Sequence, residues 1–365
     1  MPFKPGRPIH IAGHGRTAGH LAYRRTSKPK TSATKAGYAL SAFIAGLAAL
    51  LCLITASTVT AVVENTETAG TALSNEPIQP LPPPPALDPR KLALGKQLFH
   101  DPRLSRDQKT ACATCHNLKL GGADGKPRSL RPGGMATPVN TPSIFNAMLN
   151  FRLFWDGRAG SLAEHIQGPM EDTGTDWEVA LQRLRQDASY VSAFSAAYSD
   201  GLTVAAVQDA LVTFERSLVT PNGRFDRYLR GDQNAITAEE KEGYRLFKAY
   251  GCTACHQGVN AGGNMYQKVG VMGDYFDKRG DLTPADLGRF NVTGLERDRH
   301  MFRVPGLRNV ALTAPYLHDG RIKTLEDAVK GMSKFMLGRP IEPREVKLIV
   351  QFLHTLNGEY DGQPL

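Results

Sequence analysis

Two stretches of the chain carry the same reactive trio, Cys112-Cys115-His116 and Cys252-Cys255-His256. Two cysteines three positions apart share one helix face and can form thioethers with both vinyl groups of a haem; the adjacent imidazole then reaches the iron. A lone Cys-x-x-Cys would also fit a redox dithiol or half a zinc site. Two copies, each followed by His, point to two covalently attached haem c groups. The fifth cysteine, Cys52, lies in an apolar run, so no exported pair is left over for a disulfide.

Each haem then needs a sixth ligand or an open face. Methionine closes electron-transfer haems and raises their potential, whereas catalytic haems keep one side free. After the second trio the methionines are Met265, Met272, Met301, Met332 and Met336. Met332 falls on a helix opened by Thr324, on one face with Leu325 and Val329. From spacing alone, a core side chain and a ligand both fit there.

The elements that would position these groups are mainly helical. Val204, Val207, Leu211, Phe214 and Leu218 follow 3–4 spacing. Thr175 with Glu178 and Thr237 with Glu240 are spaced as capping boxes, and Pro343 suits a first helical turn. Leu94-Gly95-Lys96-Gln97-Leu98-Phe99 before the first trio matches Glu242-Gly243-Tyr244-Arg245-Leu246-Phe247 before the second. This internal repeat predicts two cytochrome c-like haem domains packed together, 91–230 and 231–365. Gly- and Pro-rich stretches (117–143, 257–300) would be long ordered loops over the cofactors.

Charge is unevenly placed. Eight Lys and Arg and no acid occupy residues 1–35, and the remainder is nearly neutral despite an overall +9. No basic face for nucleic acid is therefore expected. Residues 36–63 carry no charge, enough at ~1.5 Å per helical residue to exceed a ~30 Å hydrocarbon core. We expect a basic cytoplasmic tail, a single N-terminal transmembrane helix at 36–63, and a periplasmic body anchored to the inner membrane. A signal cleaved near Val59-Thr60-Ala61 is the competing reading. Residues 64–90, ending in four prolines, read as an extended linker.

Residues of about 88–360 resemble the bacterial di-haem cytochrome c peroxidases and the related methylamine-utilisation di-haem enzyme. The resemblance rests on Leu98-Phe99 with Asp101-Pro102-Arg103-Leu104-Ser105, Asn140-Thr141-Pro142, Phe154 to Ala159, Arg303 to Asn309, and Ala314 to Gly320. It implies a peroxide-reacting first haem and an electron-accepting second haem held by His256 and Met332. It implies that Trp155 lies between the haems and that Asn140, Thr313 and Pro315 hold a calcium ion. Hydrogen peroxide would be the substrate and a small c-type cytochrome or cupredoxin the donor. A homodimer would be compatible with it.

The chain departs from that pattern at three places. No histidine occurs between Asn117 and Glu164, and Pro132 stands where many relatives carry a loop His that closes the first haem. Met135 is the remaining loop ligand candidate. His165 replaces a distal Gln, where it could shuttle a proton, bind the iron or lie at the surface. Thr175 falls where a distal Glu would be, leaving Glu171 as the nearest carboxylate. Two rival functions remain: an oxidase acting on a protein side chain, against which Met332 counts, and a non-catalytic electron carrier or sensor.

Overall fold

The computed structural model describes residues 75–365, apart from the side chains at 172 and 173. The basic tail and the apolar run 36–63 lie outside the described residues. Among those described, no helix is long and apolar enough to cross a membrane.

Among the described residues, the helices of six or more residues are α1 (Pro89–Phe99), α2 (Gln167–Thr173), α3 (Trp177–Arg185), α4 (Ala188–Ala197), α5 (Val204–Ser217), α6 (Arg224–Leu229), α7 (Ala238–Ala249), α8 (Leu325–Met332) and α9 (Pro343–His354). Local chemistry starts them. Asp88 caps α1 ahead of Pro89. Thr237 and Glu240 form the expected reciprocal box on α7, and Thr324 caps α8. At α3 the cap is Asp176 rather than Thr175; its shorter reach to the Glu178 amide wins. Among the described residues, strand is confined to two short antiparallel pairs, β1 (Tyr266–Lys268) with β2 (Met301–Arg303), and β3 (Glu359–Tyr360) with β4 (Gln363–Pro364).

Two hydrophobic cores follow the repeat. The first gathers Leu98 and Phe99 of α1, Leu184 of α3, Phe194 of α4 and Leu211 and Phe214 of α5. The second gathers Phe225 of α6, Tyr244 and Phe247 of α7, and Ile349 and Phe352 of α9. In both, the helix preceding the haem trio packs on the last long helix of its half. The repeated glycine is what lets them meet. A Cβ on Gly95 would lie 1.9 Å from the Ala210 carbonyl oxygen, and one on Gly243 2.0 Å from that of Leu348.

Two boundaries differ from expectation. Phe225 and Leu229, assigned by sequence to the first half, sit in the second core. The segment read as linker is only partly one. Ile78 is 0% exposed and Leu81 1%, and each such burial contributes about 1.5–3 kcal/mol. Leu81 N donates to Asp226 (3.1 Å), which pairs with the buried Arg308 at 2.8 Å. The apolar pair Ile78 and Leu81 outweighs the neighbouring prolines' tendency to stand off as a spacer. In return, Tyr360 and Leu365 of the C-terminal tail pack against the first core.

Candidate haem sites

Each trio ends a tight turn. The His116 amide donates to the Cys112 carbonyl at 2.9 Å, and the His256 amide to that of Cys252 at 2.9 Å. Nδ1 of His116 faces the Gly122 carbonyl at 3.2 Å, and Nδ1 of His256 that of Ala261 at 3.3 Å. A donor Nδ1–H fixes the tautomer that leaves Nε2 to ligate iron. Burial lowers both imidazoles, His256 to about 4, so both are neutral as ligation requires. The carbonyls of Pro142 and Pro305 also face these rings.

Those prolines extend the repeat beyond what the sequence reading caught. Pro142 leads to Asn146 and Pro305 to Asn309, each Asn in the left-handed region (φ 60° and 61°) and each opening a 3₁₀ turn. The signal was Pro-x-x-x-Asn in both halves. Both asparagines bond to Thr220 Oγ1, at 2.8 and 3.0 Å, tying the halves through a buried polar knot.

A cavity of about 420 Å³ is lined by Cys112, Cys115 and His116, together with Pro132, Trp155, His165 and Glu215. Its size falls in the ~300–1,000 Å³ range of cofactor sites. Both thiols and the imidazole open into it, so the residues fit a covalently held haem. Trp155 is set by its Nε1–H donating to the Asn140 carbonyl (2.9 Å), and by its own carbonyl accepting from Arg303 N (2.9 Å).

The structure corrects one distal assignment. Glu171 is exposed and does not line the cavity; its helix turns that side chain to solvent. Two carboxylates do line the cavity: Asp156, which is bonded to Arg158, and the buried Glu215 of α5, 5% exposed. Burial pushes it up to about 8. Its trace in the sequence was a charged residue flanking the Leu211-Phe214-Leu218 stripe. His165 does line the cavity, its ring 4.6 Å from that of Phe154. Burial, with smaller contributions from His116, Arg158 and Arg303, pushes it down to about 3. Met135 is 67% exposed.

Met332 ends α8, one turn beyond Ala328 and Val329, which pack on the second core. A single π turn, Ser333–Leu337, follows it, a feature common beside functional residues. Met336 is otherwise engaged, its sulfur accepting from Gly270 N at 3.4 Å. Asn140 N donates to the His318 carbonyl at 2.8 Å, which brings Asn140 alongside the loop bearing Thr313 and Pro315. The Asn140 Nδ2–H donates to Lys126 O at 2.9 Å. Among the described residues, Asp286, His318 and Asp319 cluster at metal-ligand spacing. Arg279 already fills that place, pairing with Asp286 at 2.6 Å and Asp319 at 2.9 Å.

Comparison with known proteins agrees with this geometry. Residues 89–234 match the family described as di-haem cytochrome c peroxidase. The chain is 44% identical over 290 residues to cytochrome c peroxidase Ccp of Escherichia coli, covering 78% of this chain and 62% of that longer protein. It is 42% identical to cytochrome c551 peroxidase of Nitrosomonas europaea, covering 78% of this chain and 85% of that one. Among solved structures, a MauG-like protein associated with microbial copper homeostasis superposes with a TM-score of 0.67 at 28% identity, covering 77% of this chain and 93% of that one. The chain is a member of the di-haem cytochrome c peroxidase family.

Proposed function

We propose that this chain reduces hydrogen peroxide to water at the first haem site, with electrons entering at the second. The observation that carries this reading is the lining of the first cavity, where Cys112, Cys115 and His116 share one space with His165, the buried Glu215 and the donor-free Pro132. When bound there, haem supplies the electron store at which the peroxide O–O bond breaks. The chain's own residues do the rest. His116 holds the proximal side, His165 moves a proton at the distal side, and Trp155 stands between the halves. Cys252, Cys255, His256 and Met332 hold the electron-accepting haem. Asn140, Thr313 and Pro315 offer the hard oxygen donors calcium prefers. The donor is a small exported c-type cytochrome or cupredoxin, and the body is periplasmic, tethered by residues 36–63.

Steady-state turnover with peroxide and a reduced small cytochrome tests the activity. Peroxide-dependent oxidation of that donor is expected; its absence in fully haem-loaded protein overturns the reading. Retention in membranes after alkaline washing tests the tether.

A further inference from the structure

Among the described residues, Nδ1 of His165 and Oε2 of Glu215 are buried polar atoms with no hydrogen-bond partner. They face each other at 3.8 Å, their side chains 13% and 6% exposed. They come from unconnected elements, the turn Leu162–His165 and α5, and both line the first haem cavity. Phe154 lies against the His165 ring at 4.6 Å and is itself covered by Arg158 at 3.5 Å. A buried, unmatched donor or acceptor is costly, and here each supplies what the other lacks.

We infer that Glu215 is the positioning partner of His165, holding Nδ1 so that Nε2 is turned to the distal face of the first haem. The pair then carries one exchangeable proton. This rests on the first site being the peroxide site. Burial keeps the Glu215 carboxyl protonated and the imidazole neutral, the state in which the acid donates to Nδ1. The charged and titratable groups facing His165 are His116, Arg158 and Arg303; the Cys112 sulfur faces Glu215. Neither arginine competes for the pair. Arg158 is bonded to Asp156, and Arg303 to the Phe154 and Val304 carbonyls and the Asn150 amide oxygen.

The proton balance is direct. Reducing one peroxide to two waters breaks the O–O bond and consumes two electrons from the donor and two protons. One proton passes through the pair. Nε2 gives it to the departing oxygen while Nδ1 takes the Glu215 carboxyl proton; the pair resets when Nε2 regains a proton from solvent and Nδ1 returns its own to the carboxylate. The second proton comes from solvent.

The test is a double-mutant cycle in the haem-loaded protein with Glu215→Gln, His165→Gln and the double variant, plus Glu215→Asp as the conservative rescue. Two quantities are read: kcat/KM for peroxide, and the pH profile of cyanide binding to the oxidised first haem, which needs a proton acceptor but no turnover. Glu215→Gln is expected to lower kcat/KM by about tenfold to a hundredfold, at or below the ~10²–10⁴ of a full acid–base group. It should also flatten the cyanide profile, have no further effect in the His165→Gln background, and be partly rescued by Asp. An equal loss in both backgrounds, or an unchanged cyanide profile, overturns the pairing. A pH-dependent cyanide profile abolished by Glu215→Gln in a wild type that does not turn over peroxide supports the pairing and overturns the peroxidase reading instead.

Discussion

The first and second halves of this molecule share their proximal architecture and diverge on the distal side. In each, a glycine-bearing helix approaches a partner helix at backbone contact, a Cys-x-x-Cys-His turn follows, and a Pro-x-x-x-Asn segment faces the imidazole and enters the Thr220 knot. The first half then offers His165, Glu215 and Pro132 to its cavity. The second offers Met332 at the end of a helix. The halves repeat the way a haem would be held, because thioether geometry and imidazole tautomer leave little latitude. On the proposed reading they differ at the opposite face, where one ligand atom would decide between storing an electron and meeting a substrate.

Removing the distal difference in the second half should have the largest effect. Met332→Ala opens that haem and lowers its potential by tenths of a volt, within the ~0.8 V that axial ligands span. Turnover with a cytochrome donor should fall by about a hundredfold or more, since electrons then enter uphill. Redox titration of the second haem checks this; an unchanged potential and spectrum would remove Met332 from the ligand set.

Making the halves more alike from the other direction should give the next effect. Pro132 lines the first cavity and has no donor atom. The oxidised wild type should therefore show an open or water-bound first haem and react with peroxide without prior reduction. Pro132→His should convert it to a six-coordinate low-spin form whose peroxide reaction is slower by about tenfold to a hundredfold until the second haem is reduced, the measure of a population shift of ~1.4–2.7 kcal/mol. Paramagnetic resonance of the oxidised proteins counts the open haems. Two low-spin haems in the wild type would reject the open-site reading and point to His165 as the closing ligand.

How much of this was legible depends on the range over which each feature is encoded. The haem trios, the capped helices and the helix repeat are local patterns, so their elements appeared where spacing placed them. Glu215 was missed because its partner lies 50 residues away, and a charge flanking an apolar stripe reads as solvated until the fold buries it. Glu171 failed for the opposite reason: proximity in sequence to the distal segment says nothing about which side of a helix faces the cavity. The strap at Ile78 and Leu81 was hidden by its prolines, whose extended preference is equally satisfied by a free linker and by a chain lying in a groove.

The shared glycines allow a symmetrical test. Gly95→Ala and Gly243→Ala each drive a Cβ into a backbone carbonyl, so the paired helices must part. Each should cost about 1–3 kcal/mol or more, the range of overpacking. Chemical denaturation followed by far-ultraviolet dichroism reads the loss. Equal destabilisation by both supports a common packing rule for the halves; a silent variant at either site breaks the equivalence.

The exchanged segments, where the halves again differ, include the smallest effect, at Tyr360. Ile78 is fully enclosed in the second core, so Ile78→Ala should cost about 2–4 kcal/mol in lost burial and residual cavity. On the other side, Tyr360 is only half-buried against the first core, its ring 5.1 Å from that of Phe145. Tyr360→Ala should cost about 1 kcal/mol, the scale of one aromatic pair and partial burial. Hydrogen exchange separates the two: Ile78→Ala should speed exchange in α7 and α9, and Tyr360→Ala in α1 and α5. The strap is the stronger clasp because Ile78 and Leu81 are fully buried, whereas Tyr360 and Leu365 of the tail are only partly so. If both variants loosen both halves equally, the clasps act on a single cooperative body, and the two cores unfold as one.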